Sequence, residues 1–176
     1  MVAGPPPAGA VAFATNLGDD PDILAVAEVV DGRLRVHATV DGCALAEQIP
    51  GERINGIALD GAGTLYVLDS DDTLTGLTWR DPGRVSSEVH LHAALFGEDR
   101  DEFQCVGEVC VAGDRLAVPF QSESGRVVLA FVDPESGRCT GRLDLPAPWH
   151  TGIVENGLLW LSGGDQTRLA RWTTRS

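Results

Sequence analysis

Three side chains in this sequence are suited to acid/base or nucleophilic chemistry: His150, Glu108 and Cys105. An imidazole titrates near neutral pH and can act as a general base or a metal ligand. A carboxylate set among apolar residues has a raised pKa and can give or take a proton, and a thiol beside a histidine makes a nucleophile and base pair. Asn55 adds an amide oxygen that could hold a hard cation, with Glu108 as the second oxygen donor. Each of these residues has a structural alternative. His150 can stack on Trp149, Cys105 can be a buried, inert thiol, Glu108 can pair with an arginine such as Arg115, and Asn55 can cap a strand.

The spacing of these residues points to a repeat. Each stands next to, or within two residues of, one of three equivalent glycines, in Ile54-Asn55-Gly56, Cys105-Val106-Gly107-Glu108 and His150-Thr151-Gly152. Glu108 falls where the other two stretches carry Ile57 and Ile153, which is the largest departure from the pattern. Downstream lies the same two-strand hairpin each time: LYVLD-SDD-TLTGLTW from Leu65, LAVPF-QSESG-RVVLAFV from Leu116 and LWLS-GGDQT-RLARW from Leu159. A fourth copy, AVAFATN-LGDDPD-ILAVAEV, starts at Ala10. Apolar runs rich in Val, Leu and Thr around a Gly, Ser and Asp turn are a hairpin signal. More polar outer strands follow three of the hairpins: RLRVHATV (33–40), RVSSEVHL (84–91) and RCTGRLDL (138–145).

Inner strand, two middle strands and outer strand form the unit of a β-propeller blade. The reading is an all-β propeller of about four blade-like repeats, roughly 10–50, 51–101, 102–146 and 147–176, in a single domain. A cupin-like barrel is the competing antiparallel fold, since AGDRLAVPF and His90-Leu91-His92 are similar to its motifs, but it does not explain four hairpins. In a propeller the inner strands begin at one mouth of the channel. Because strand side chains alternate, either Asn55, Val106 and Thr151 or Ile54, Cys105 and His150 face it.

Composition narrows the partners. With 26 acidic and 13 basic residues the net charge is −13, which repels nucleic acid and anionic membranes, so a small molecule is the expected ligand. No apolar run is long enough for a membrane span. Four cysteines without CxxC spacing fit reduced thiols in the cytoplasm. The P-loop, GxGxxG, GxSxG and HExxH motifs are all missing, which removes many enzyme classes. His90 and His92 share a face of an outer strand, where solvent exposure is the expectation, and Asp69 and Asp165 are read as satisfying turn amides.

The stretch INGIALDGAGTLYVLDSDD resembles a blade of the gluconolactonase/regucalcin propellers, relatives of strictosidine synthase, and GRVVLAFVDPESGRCTGRLDLPAPWHTGIVENGLLWLSG resembles the next two blades. The resemblance covers about residues 50–165. It implies a divalent metal (Ca²⁺, Mg²⁺, Mn²⁺ or Zn²⁺) at the channel, with Asn55 matching the metal-binding Asn, and an activity of lactone hydrolase, lyase or cyclase type. The family's Asp is replaced here by Val106. A noncatalytic propeller that binds a ligand or a protein is the alternative. Since such rings have around six blades, the resemblance also implies a homodimer that completes the ring.

Overall fold

Among the described residues, fifteen strands carry the computed structural model of the chain, and every pairing whose register is defined is antiparallel. It describes residues 5–15, 23–40, 49, 51, 54–91, 95, 103–106, 109–145, 151–155, 158–163 and 166–171; for 13–15, 23–24, 40, 81–83 and everything from 151 onward it describes the backbone alone. The chain divides into two compact units, Met1–Glu88 and Val89–Ser176. Each contains two of the expected blade-like sheets.

In the first unit, β1 (Val11–Thr15), β2 (Ile23–Val30) and β3 (Arg33–Val40) form one sheet in that order. The β2–β3 turn is Asp31-Gly32, with φ of 51° and 71°. Two successive positive φ angles define the turn whose twist matches a hairpin, and Asp and Gly tolerate them best. The second sheet is β4 (Ile54–Leu59), β5 (Thr64–Asp69), β6 (Thr73–Thr78) and β7 (Asp81–His90), again in chain order. Its β4–β5 turn closes on Asp60, whose Oδ1 accepts the N–H groups of Ala62, Gly63 and Thr64 at 2.9, 2.7 and 2.8 Å.

These two sheets pack face to face, with β1 running beside β4. Val26, Ala12 and Ala38 of the first sheet meet Leu65, Val67, Leu77 and Trp79 of the second. The second sheet also buries its other face, through Ala58, Tyr66, Leu68 and Leu74. A Val or Leu taken fully out of water contributes about 1.5–3 kcal/mol, so this two-sided burial is the main stabilising term in the unit.

In the second unit, β8 (Phe103–Cys105) and β9 (Cys110–Ala112) both pair with β10 (Arg115–Ser122), which is followed outward by β11 (Val127–Val132) and β12 (Cys139–Leu145). The expected inner strand CVGEVCV is described as two short strands, β8 ending at Cys105 and β9 opening at Cys110, with Val106 and Val109 outside both and residues 107–108 not among those described. Both faces of this sheet are buried: Ala117, Leu129 and Phe131 on one, Leu116, Val118 and Phe120 on the other. The last sheet is β13 (Thr151–Glu155), β14 (Leu158–Gly163) and β15 (Gln166–Arg171), and β13 lies against β9 and β10. The β11–β12 turn repeats the Asp60 device. Asp133 Oδ1 accepts Ser136 Oγ and Ser136 N, which hold its carboxyl below the ordinary value of 3.8.

Leu91 and Leu95 offer a contrast to the all-strand reading. Both are helical, one turn apart, and buried. No helix among the described residues is long and apolar enough to cross a membrane.

The polar residue most deeply committed to this fold is Asp69, which is fully buried at the end of β5. Its Oδ2 accepts Gly51 N at 2.8 Å, and its Oδ1 accepts Asp71 N at 3.0 Å and Thr73 N at 2.9 Å. A Cβ at position 51 would lie 2.7 Å from Asp69 Cγ, so only glycine fits there. We expect Asp69→Ala, which strands three amide donors, to lower unfolding free energy by about 3 kcal/mol or more, and Asp69→Asn to lower it by clearly less, as read by urea titration. Thr75 gives the converse case. Its Oγ1 is buried with no hydrogen-bond partner among the described residues, so Thr75→Val should raise stability by about 1 kcal/mol in the same assay.

Candidate functional site

The inner strands are where the sequence places chemistry, and two of them depart from regular pairing there. In β4 the register skips Asn55: Ile54 pairs with Asp69 and Gly56 with Leu68. This is a β-bulge, which re-aims a side chain at the cost of one ladder position. Ile54 and Ile57 pack against the apolar core, while Asn55 is exposed. Its Nδ2 donates to the carbonyl of Asp69 at 3.1 Å, so the amide braces the strand end that Asp69 organises. The Oδ1 of Asn55 accepts no hydrogen bond from the described residues and is the atom that could face a ligand.

The second irregular inner strand is the break between β8 and β9. Cys105 pairs with Phe120 at the end of β8 and is half-buried. Val106 is 38% exposed, and its N–H donates to Pro119 O at 3.1 Å. Glu108 and His150 lie outside the described residues. Arg115, the structural partner considered for Glu108, faces Asp114 Oδ1 at 3.6 Å. Thr151, which follows His150, opens β13, the strand that neighbours β9 and β10. The backbone thus makes the strand after His150 a neighbour of the strand after Glu108.

Other expected residues can be placed too. Asp69 satisfies turn amides, as anticipated, and Asp165 lies outside the described residues. His90 is exposed on β7, the outer strand of its sheet, and His92 lies outside. Cys105, Cys110 and Cys139 form no disulfide. Among the described residues no three His, Cys, Asp or Glu side chains stand together as a metal-ligand set.

One cluster was not anticipated. At a second bulge, Val26 pairs with Ala38 and Ala27 with Val36, leaving His37 without a ladder position. His37 Nε2 then lies 3.2 Å from Glu28 Oε1, and Arg35 Nη1 lies 3.4 Å from the same oxygen. The imidazole meets the Trp79 ring edge-on at 6.2 Å, and Arg80 sits over that ring at 4.8 Å. Nothing in RLRVHATV marks His37 as the residue that would slip out of register.

The metal that the family resemblance implies can be tested against these residues. A hard cation needs several oxygen donors. The equivalent inner-strand positions supply one amide oxygen, from Asn55, and an alkyl side chain, from Val106. These residues do not fit a divalent cation by themselves.

With the geometry in hand, comparison with known proteins is informative about the fold. The chain resembles the glutaminyl cyclase of Myxococcus xanthus with a TM-score of 0.55 and 16% identity, over 90% of this chain and 73% of that one. The chain has a β-propeller fold. A europium-containing methanol dehydrogenase (TM-score 0.46, 12% identity, 80% of this chain and 24% of that one) and BamB from Moraxella catarrhalis (0.47, 16%, 92% and 47%) are further propeller-type neighbours. The chain spans about a quarter of the dehydrogenase and about half of BamB. No protein-family model and no curated protein matches the sequence. The likeness reaches the propeller architecture and not the gluconolactonase-type family.

If Asn55 acts through its brace on Asp69, removing the amide has a cost that no cation modulates. Asn55→Ala should destabilise by about 1 kcal/mol, equally with and without added Ca²⁺, Mg²⁺, Mn²⁺ or Zn²⁺ in a thermal-shift assay. A loss confined to the cation-loaded protein would make Asn55 a ligand.

Proposed function

We propose that the chain is a small-molecule-processing propeller whose chemistry is acid/base and is centred on the interrupted inner strand of its third sheet. The observation that carries this reading is that β8 ends at Cys105 and β9 begins at Cys110, with Val106 and Val109 outside both strands. In the sequence Glu108 stands in this interval, at the repeat position where the other inner strands have Ile57 and Ile153. Bulges and breaks are concentrated beside active sites because they release a side chain from the pleat.

In this reading, a lactone or similar ester is the substrate class. His150, at the entrance to the neighbouring strand β13, takes a proton from water, whose oxygen attacks the carbonyl carbon. The ring C–O bond breaks, and Glu108 protonates the departing alkoxide to give a hydroxy acid. Cys105, which ends β8, is the alternative nucleophile in this reading.

A lactone panel followed by pH-stat tests the roles. Glu108→Gln and His150→Gln are each expected to lower kcat by about 10²–10⁴, the range of general acid/base catalysis, with the fold intact by circular dichroism. Cys105→Ser should retain turnover; if it alone abolishes activity, the thiol is the nucleophile. Saturable ligand binding without turnover in the wild type would assign the noncatalytic reading.

A further inference from the structure

Large apolar side chains are exposed at Val11, Val29, Leu34, Val36, Val85 and Val106 among the described residues. Four of these six belong to one face of the first sheet: Val11 (52%), Val29 (68%), Leu34 (56%) and Val36 (50%). The register makes them neighbours. Val11 and Val36 flank Ala27 across the three strands, and Val29 stands opposite Leu34. The other face of the same sheet is the one that packs on β4–β7 through Ala12, Val26 and Ala38. The second and third sheets bury both faces. The first sheet therefore leaves open on one side the kind of surface that those sheets cover. An exposed contiguous apolar patch marks an interaction site.

The charges at the end of these rows select the occupant. The hairpin tip carries Asp31 and Arg33, neither of which has an ion-pair partner among the described residues. With Val30, Leu34 and Arg35 they line a depression of about 560 Å³. A surface that holds an acid and a base beside an apolar row is complementary to itself under a twofold axis, because each acid meets the other copy's base. A purely acidic or purely basic partner would satisfy only one of the two. Apolar centre and charged rim are the ordinary anatomy of an interface.

We propose that this face joins two copies of the chain, with the first sheets packed back to back, the Val11, Val29, Leu34 and Val36 rows at the centre, and Asp31 of each copy against Arg33 of the other. The inference is independent of the catalytic reading. Light scattering on the wild type should give twice the 18.6 kDa chain mass. Val36→Glu, Asp31→Arg and Arg33→Asp should each give the single-chain mass with an unchanged circular dichroism spectrum. An equimolar mixture of the Asp31→Arg and Arg33→Asp proteins should recover the double mass, since one copy then offers two bases and the other two acids. Should Val36→Glu fail to fold, the two charge variants decide the matter. A wild-type monomer overturns the proposal and leaves the face to another protein or a further segment of chain. Variants that stay dimeric overturn the assignment to this face, and a mixture that stays monomeric overturns the twofold pairing.

Discussion

The carboxylate of Asp69 is the constraint on which the second sheet depends. Two oxygens accept three amides, one from the segment leading into β4 and two from the β5–β6 turn. Burying a carboxylate is unfavourable unless its lone pairs are filled, and here the backbone fills them. The same residue's carbonyl receives Asn55 Nδ2, so the bulge in β4 is fixed to the same point. The start of the inner strand, the end of the next one and the turn beyond it are thereby held together by one side chain, and Gly51 is the only residue small enough to approach it.

Around that point, stability comes from sheets that bury both faces. Such strands cannot show the clean alternation of a one-sided sheet: β11 reads VVLAFV, buried at every position. β12, the outer strand of the same sheet, alternates between half-buried and exposed. The gradient from apolar middle strands to polar outer strands follows from where water reaches, and it is what orients each blade. The first sheet breaks the pattern because one of its faces keeps Val and Leu in water.

That logic made the blades legible. Hairpins are written in local chemistry, in turn residues such as Asp60, Asp133 and Asp31-Gly32 between apolar runs, and every expected hairpin is formed by the strands that the residues marked. The irregular positions were not legible for an equally physical reason. Whether Ile54 or Asn55 turns toward the core is a one-residue matter of register, and one slip moves a side chain to the other face. The bulge resolves it by sending Ile54 inward and leaving Asn55 to brace Asp69, a result set by contacts with Gly51 and Asp69, 14 to 18 residues apart in the chain. The position of His37 is set by register in the same way. CVGEVCV is apolar enough to be one continuous strand, whereas the described pairing with β10 stops at Cys105 and resumes at Cys110.

Positions that leave the regular register are where function is best sought. A regular strand commits every backbone amide to its ladder and every second side chain to the core, which leaves nothing to bind or move a proton. Where pairing lapses, at Asn55, at His37 and at Thr140, a polar group is released while its neighbours stay fixed, and Thr140 Oγ1 donates to Phe131 O at 3.0 Å. Of these, Asn55 is held by a backbone carbonyl and His37 by Glu28. The interval between Cys105 and Cys110 differs in kind: Val106 and Val109 lie outside both strands, and in the sequence it carries Glu108 where the repeat calls for isoleucine. A fold selected only for stability gains nothing from a carboxyl group at a position where the other repeats have an apolar side chain.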